Sequence, residues 1–260
     1  MAYFMGIDIG SATSKGIITE DGSTLASHLL PSGVNYRLAA QNLVDELLAK
    51  ADVAREDIAY IVATGQGSDN VEIADQEVAD IRCCARGIFS IFPSVRTVID
   101  VQGQSTQVLR LSEVGQVTNF VVSEKCASGS GRFLDIIANV LQIKLEDVGP
   151  LSLESKDPVT FTTGCAVFGE SEAVSRVSEG VAKEDIVAGV HQALAEKISS
   201  LVGKVGLEEC CAITGGGGLN IGLIKWIEKK LGIELLMPPE PQLVTALGAA
   251  IMAEDACKQR

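Results

Sequence analysis

The stretch that decides the fold reads GIDIGSATSK and spans residues 6–15 of the 260-residue chain. An apolar run ends at Asp8, a turn of Gly10 and Ser11 follows, and a second strand-like run begins at Lys15. Two such runs separated by a glycine-containing turn predict two β-strands joined by a hairpin. Glycine in this turn lets backbone N–H groups approach a phosphate, because no Cβ stands in the way. The stretch therefore predicts one part of a nucleotide site.

The same layout returns in the middle of the chain. A strand predicted over 95–101 carries Asp100 near its end, and a turn with Gly103 leads into a returning strand over 106–111. A third glycine-rich turn, residues 215–218, follows another predicted strand. A glycine turn after a strand is more often only a turn. Three in this order, with two strand-end aspartates that suit a hydrated Mg²⁺, favour a nucleotide site.

The repeated layout predicts two related α/β lobes. We expect the first lobe to span residues 1–96 and the second to span 97–243. A closing helix over 244–260 is expected to pack on the first lobe. Apolar periodicity further predicts helices over residues 37–51, 77–89, 133–141 and 186–202.

Composition narrows the classes of partner. Acidic residues outnumber basic ones by 34 to 21, which gives a formal charge of −13. This balance argues against nucleic acid and anionic membranes, because clustered Lys and Arg bind phosphate backbones. No apolar run reaches the ~18 residues of a membrane span, and the N-terminus lacks signal-peptide features, so we expect a cytoplasmic protein. With only two histidines, His28 and His191, one chain cannot build a multi-histidine metal site.

Two of the seven cysteines stand apart by their position. Cys126 and Cys165 each precede a helix-like segment, and a helix N-terminus stabilises a thiolate. A [4Fe–4S] cluster needs four thiolates, which two cysteines per chain supply only across a dimer. On spacing alone, buried structural cysteines are the commoner alternative. The other five cysteines are interpreted as core or surface positions.

Five motifs give the chain a resemblance that covers nearly its whole length. Residues 6–15 resemble the first phosphate motif of the acetate kinase, sugar kinase, Hsp70 and actin superfamily. Residues 125–134 and 165–172 resemble the two cluster motifs of one branch of that superfamily. The branch comprises the activators of 2-hydroxyacyl-CoA dehydratases and the ATP-binding subunits of benzoyl-CoA reductases. Residues 214–220 resemble its adenosine-side motif, and residues 246–250 resemble its closing helix.

The resemblance implies two actin-like (ribonuclease H-like) lobes with a nucleotide cleft between them. It further implies that MgATP hydrolysis drives low-potential electrons from a [4Fe–4S] cluster, shared across a dimer, to catalytic reductase or dehydratase subunits. Ferredoxin is the implied electron donor. The implied catalytic residues are Asp8 and Asp100, and the implied cluster ligands are Cys126 and Cys165. The implied residues for ATP or ADP are Gly10, Ser11, Lys15, Gly103, Gln104, Gly215, Gly216, Gly217 and Asn220.

One motif departs from the family pattern. The family's second phosphate motif reads Asp-Ile-Gly-Gly-Gln-Asp, whereas residues 100–105 of this chain read DVQGQS. Gln102 adds bulk beside the phosphates and Ser105 removes a charge, so we predict slow ATP hydrolysis by the isolated chain. A heterodimer tolerates such changes when its partner subunit carries the standard site. We therefore favour the shorter ATP-binding subunit of a benzoyl-CoA-type reductase, working in anaerobic aromatic degradation.

Three alternatives stay open. A free-standing homodimeric activator of a 2-hydroxyacyl-CoA dehydratase is the main one, and it needs this motif to work in both halves. A small-molecule kinase of the same superfamily would contain no iron. A filament-forming actin-like scaffold would leave both cysteine motifs without a purpose.

Overall fold

Two β-sheets with flanking helices confirm the predicted α/β class. The computed structural model describes residues 2–123, 130–161 and 166–258. The first sheet has the strand order β3-β2-β1-β4-β5. Strand β1 pairs with β2 as an antiparallel hairpin and with β4 in parallel. The strands are β1 (Tyr3–Ile9), β2 (Thr13–Glu20), β3 (Ser23–Pro31), β4 (Ile58–Thr64) and β5 (Gln76–Glu77).

Three helices belong with this sheet, namely α1 (Tyr36–Ala51), α2 (Asp80–Ile91) and α8 (Val244–Lys258). The Asn35 side chain caps α1 by accepting a hydrogen bond from the Leu38 N–H at 3.1 Å. The predicted start of the second helix at residue 77 is wrong. Residues 76 and 77 pair with β4 instead, and α2 begins only at Asp80.

The second sheet has the order β8-β7-β6-β9 and repeats the central pattern of the first. Strand β6 pairs with β7 as an antiparallel hairpin and with β9 in parallel. The strands are β6 (Thr97–Val101), β7 (Thr106–Leu111), β8 (Val117–Val122) and β9 (Cys211–Thr214). The helices that follow in the chain are α3 (Gly131–Leu141), α4 (Leu145–Ser152), α5 (Ala166–Ser178), α6 (Lys183–Val205) and α7 (Ile221–Leu231).

The chain divides into two compact units. Unit 1 comprises Met1–Arg96, Leu111–Thr118 and Pro238–Arg260, and unit 2 comprises Thr97–Arg110 and Asn119–Met237. Each unit buries its own apolar core, around β1 and α1 in unit 1 and around α3, α6 and α7 in unit 2. The lobe boundaries drawn from the sequence stay a prediction. No helix in the described part of the chain is long and apolar enough to cross a membrane.

Helix α8 packs in unit 1 with its backbone against that of its neighbours. A Cβ added at Gly6 of β1 would overlap Ala246 and Ala250 of α8. A Cβ at Gly248 of α8 would likewise overlap the backbone of Cys83 in α2. Such close approach requires glycine, because any side chain forces the two backbones apart. The small residues of the closing helix are therefore packing residues that fix β1.

Candidate nucleotide site

Asp8 is held by an ion pair at the end of β1. It lies opposite Lys15 of β2 in the strand register, and the Lys15 Nζ donates a hydrogen bond to the Asp8 Oδ2 at 3.0 Å. Both side chains are largely buried, with 14% of Lys15 and 9% of Asp8 exposed. Burial raises the pKa of the Asp8 carboxyl above its ordinary value, and the Lys15 ammonium opposes that shift. The hairpin thus presents a preformed carboxylate–ammonium pair.

The turn between β1 and β2 needs glycine at position 10. The Gly10 N–H donates to the Thr13 carbonyl at 3.1 Å, and the Ser32 hydroxyl donates to the Gly10 carbonyl at 2.7 Å. A Cβ on Gly10 would stand 2.9 Å from the Lys15 Nζ. The nearest atom to that Cβ would be the Thr13 carbonyl oxygen at 2.8 Å, so the backbone of the turn itself excludes a side chain at Gly10. Ser11 lies in the same turn, where the sequence places it.

Gly65, at the end of β4, completes this side of unit 1. It adopts a φ of +89°, and a Cβ there would overlap the Asp8 Oδ1. Two residues later, the Gly67 N–H donates to the Ile9 carbonyl at 2.9 Å. Sequence reasoning missed both glycines as site residues. The signal that would have found them is the repeat of Thr-Gly-x-Gly at 64–67 and 214–217.

Asp100 holds the matching position in unit 2, at the end of β6. Its Oδ2 accepts hydrogen bonds from the Gln107 Nε2 at 2.8 Å and from the Gln102 Nε2 at 2.7 Å. Its Oδ1 faces Gly215, which has a φ of +77° and whose added Cβ would stand 2.6 Å from that oxygen. The predicted residues Asp100 and Gly215 are thus brought together within unit 2.

The two hairpins share one register. Gln107 lies opposite Asp100 as Lys15 lies opposite Asp8, seven residues further along the chain in both cases. The Gln102 N–H donates to the Ser105 carbonyl at 2.9 Å, as the Gly10 N–H donates to the Thr13 carbonyl. Gln102 therefore occupies the position of Gly10. The repeated strand and aspartate are visible in the sequence, but the equivalence of Gln102 and Gly10 is established by the register and the turn hydrogen bond.

The second turn is tied to the start of α3. The Gln102 carbonyl accepts from the Gly131 N–H, and the Gly103 carbonyl accepts from the Arg132 N–H, each at 2.9 Å. Gln104 is exposed in the middle of the turn. These bonds satisfy N–H groups in the first turn of α3, which have no partner within the helix. The turn and the first turn of α3 are therefore directly coupled by hydrogen bonds.

The third glycine turn leads into α7. Residues 216–219 form a short 3₁₀ helix, and the Asn220 Oδ1 caps α7 by accepting from the Leu223 N–H at 2.9 Å. His191 of α6 is fully buried nearby, and burial lowers its pKa to about 3 while Asn220 opposes that shift. Neither ring nitrogen makes a hydrogen bond of ordinary geometry with a described residue. The imidazole is therefore held neutral inside unit 2.

The predicted cluster ligands, Cys126 and Cys165, lie outside the described residues. Among the described cysteines, burial raises the pKa of both Cys83 and Cys211 to about 12, which disfavours the thiolate that a metal needs. Within 2–123, 130–161 and 166–258, no group of three or more His, Cys, Asp or Glu side chains is placed to hold a metal ion. The cluster assignment therefore stays a prediction.

Both units carry a strand-end aspartate beside a tight turn and a glycine with positive φ. Asp8, Gly10, Ser11 and Lys15 cluster in unit 1. In unit 2, the predicted residues group around Asp100 and the start of α7. Glycine at each strand end lets the backbone pack directly against the Oδ1 of each carboxylate, where a Cβ would overlap it. A nucleotide cleft that joins the two sets stays a prediction.

Comparison with known proteins gives a full-length match. The sequence profile of the BadF/BadG/BcrA/BcrD ATPase family matches residues 5–253. The chain is 39% identical over 258 residues to the 2-hydroxyisocaproyl-CoA dehydratase activator of Clostridioides difficile, which covers 99% of this chain and 97% of that protein. It is 40% identical over 253 residues to the (R)-2-hydroxyglutaryl-CoA dehydratase activating ATPase of Acidaminococcus fermentans, covering 96% of each. One subunit of the benzoyl-CoA reductase of Thauera aromatica is 28% identical over 262 residues, covering 96% of this chain and 93% of that protein.

A solved structure supports the same conclusion. The activator of 2-hydroxyisocaproyl-CoA dehydratase from Clostridium difficile, with bound ADPNP, matches with a TM-score of 0.95 and 39% identity. The match covers 99% of this chain and 96% of that one. The resemblance drawn from the motifs and the actin-like fold are thereby confirmed. The preference for a benzoyl-CoA reductase subunit is less well supported than its alternative, because the dehydratase activators are clearly more similar.

Proposed function

Because the chain belongs to the BadF/BadG/BcrA/BcrD ATPase family, we propose that it is the ATP-hydrolysing activator of a 2-hydroxyacyl-CoA dehydratase. The observation that carries the proposal is the identity of 39–40% to two such activators over at least 96% of the chain. The glycine-flanked aspartates of the two hairpins support it independently. The expected partner is the catalytic dehydratase component.

In this proposal the two hairpins bind the phosphates of ATP. The Lys15 ammonium, already oriented by Asp8, is a point charge for a phosphate oxygen, and the turn at Gly10 offers close backbone approach. Carboxylates suit Mg²⁺, which prefers oxygen ligands and keeps several waters. Asp8 and Asp100 are the proposed carboxylates for the magnesium ion that accompanies ATP. The glycines at 215–217 and Asn220 are the proposed nucleoside side.

We further propose that Cys126 and Cys165 hold a [4Fe–4S] cluster shared by two subunits. This assignment rests on the resemblance of their motifs, because both residues lie outside the described ranges. When bound, the cluster would supply an electron of low potential, with ferredoxin as the proposed donor. Among the described residues, Gln102 and Gly103 anchor α3, because their carbonyls accept hydrogen bonds from its first turn.

An ATP-binding subunit of a benzoyl-CoA-type reductase remains the second candidate. The reason to favour it is that Gln102 and Ser105, taken separately, each depart from the family's second phosphate motif in a way that should weaken phosphate binding. In the structure the Ser105 Oγ donates to the Gln102 Oε1 at 2.9 Å, so the two changes are joined in one hydrogen-bonded arrangement. That removes part of the reason to assume a partner subunit with an intact motif. The mass of the assembled protein distinguishes a heterodimer from a homodimer.

The proposal is tested with anaerobically purified protein, MgATP, a reductant and a 2-hydroxyacyl-CoA dehydratase component. We expect ATP hydrolysis and onset of dehydration, and we expect Asp8→Asn to lower both about 100-fold. Asp45→Asn, the same change on an exposed position of α1, is the matched control and should be as active as the unchanged chain. A folded chain that neither hydrolyses ATP nor activates the dehydratase would contradict the proposal.

A further inference from the structure

Gln102 is bonded at both ends of its amide within the second turn. A carboxylate only accepts hydrogen bonds, so the amide presents its NH₂ group to Asp100 and its oxygen to Ser105. The distances are 2.7 Å from the Gln102 Nε2 to the Asp100 Oδ2 and 2.9 Å from the Ser105 Oγ to the Gln102 Oε1. The Gln102 side chain is thus turned onto the aspartate by the serine.

Comparison of the two hairpins shows what this arrangement replaces. In unit 1 a single ammonium, that of Lys15, donates to the Asp8 Oδ2, and a Cβ at Gly10 would meet the Thr13 carbonyl at 2.8 Å and the Lys15 Nζ at 2.9 Å. In unit 2 the lysine position holds Gln107, whose amide donates to the Asp100 Oδ2 at 2.8 Å. The turn position that glycine holds in unit 1 carries Gln102 here, and its amide donates to the same Asp100 oxygen. Two amides in unit 2 therefore replace the one ammonium of unit 1.

We propose that Gln102 is a positioning residue that orients the Asp100 carboxylate for ATP hydrolysis, and that Ser105 acts only through Gln102. This inference rests on the proposed function. With two donors on Oδ2, the carboxylate keeps its Oδ1 against the Cα of Gly215, where no Cβ fits. Removal of Gln102 takes away one of these two donors and so loosens the hold on the carboxylate. The side chain is therefore a support for the site rather than an obstacle to the phosphates.

The first test is steady-state ATP hydrolysis by Gln102→Gly, Ser105→Ala and the double variant. We expect Gln102→Gly to lower kcat about tenfold, the scale of one hydrogen bond to a charged group, with KM for MgATP changed less than about twofold. Ser105→Ala should have a smaller effect that vanishes in the Gln102→Gly background. Gln116→Ala, an exposed glutamine in the next turn, is the control and should match the unchanged chain.

The second test rebuilds the unit 1 arrangement in unit 2. Gln102→Gly with Gln107→Lys reproduces the pairing of Gly10 with Lys15, so it should recover most of the lost kcat. Gln107→Lys alone should be less active than that double variant, because the ammonium would share the Asp100 Oδ2 with the Gln102 amide. Thermal unfolding of every variant shows that it is folded.

The outcomes separate the inference from the function on which it rests. An active wild-type chain with Gln102→Gly as fast as wild type, or faster, would overturn only the positioning role and support an obstructive one. Additive effects of Gln102→Gly and Ser105→Ala would also overturn it. A wild-type chain without ATP hydrolysis would overturn both.

Discussion

At the scale of single residues, the sequence located the carboxylates but not what holds them. Asp8 and Asp100 were identifiable because each ends an apolar strand before a glycine-containing turn. Gly65 was missed although Thr-Gly-x-Gly is repeated, because its contact with Asp8 depends on a parallel strand pairing that joins β4 to β1 over more than 50 residues of chain. Gln107 was missed because its partner is set by hairpin register, which a motif does not display.

Gly65→Ala tests whether the strand-end glycine is required by contact as well as by conformation. The added Cβ overlaps the Asp8 Oδ1, so we expect a loss of about 3 kcal/mol or more in the free energy of unfolding. Gly22 is the matched control, with a φ of +77° and open space around its Cα, and Gly22→Ala should cost only about 1 kcal/mol. Urea unfolding measures both. Equal losses would show that only the backbone conformation matters.

His191 gives the free energy of unfolding a dependence on pH. Its pKa is lowered to about 3 in the folded chain against an ordinary value near 6.5, so the unfolded chain binds a proton first as pH falls. Stability from this group is present above about pH 6.5 and declines below it. From about pH 7.5 to about pH 5.5 the expected loss is about 1.4 kcal/mol.

His191→Leu should remove that loss, whatever its effect on stability at neutral pH. The chain's other histidine, His28, lies in β3 near Lys50, and His28→Leu is the control that should keep the pH dependence of the unchanged protein. Urea unfolding at the two pH values measures each slope. A slope in His191→Leu equal to that of the unchanged chain would show that other groups cause it.

At the scale of elements, apolar periodicity predicted the helices, but it did not predict boundaries that depend on contacts between elements. The helix over 37–51 agrees with α1 to within one residue. The helix predicted over 77–89 was begun too early, because the two-residue edge strand at 76–77 has no period of its own and depends on β4. Helix α8 was expected to pack on the first lobe, but the close contacts with β1 and α2 that require its small residues could not be predicted.

The crossing of α2 and α8 makes Gly248 a sensitive position. Gly248→Ala places a Cβ into the backbone of Cys83, so we expect a loss of about 1–3 kcal/mol from overpacking. Gly203 of α6 is also a helical glycine, but it is exposed and has open space where its Cβ would lie. Gly203→Ala should therefore stabilise the chain by about 0.5–1 kcal/mol. Thermal unfolding compares the two, and the opposite signs expected are the test.

At the scale of the whole molecule, the repeated hairpin is what the sequence predicted best. Identity between the two copies is thin, yet register, turn bond and strand-end glycine agree between them. The fold class followed from that repeat. The choice between an activator and a reductase subunit did not, because it was argued from Gln102 and Ser105 as separate losses. Only the structure shows that these two side chains bond to each other.

Assembly around iron is the remaining prediction for the whole molecule. If Cys126 and Cys165 hold one [4Fe–4S] cluster between two subunits, anaerobically purified chain should contain about two iron atoms per subunit. Cys126→Ser and Cys165→Ser should each abolish the iron and the brown colour while unfolding as the unchanged chain does. Cys257→Ser, at a half-buried position in α8, is the control and should keep its iron. Iron that survives both substitutions, or that is lost only with Cys257, would contradict the assignment.

Sedimentation of the iron-loaded chain then decides the subunit composition, since a stable homodimer with this iron content would exclude the need for a second kind of ATP-binding subunit.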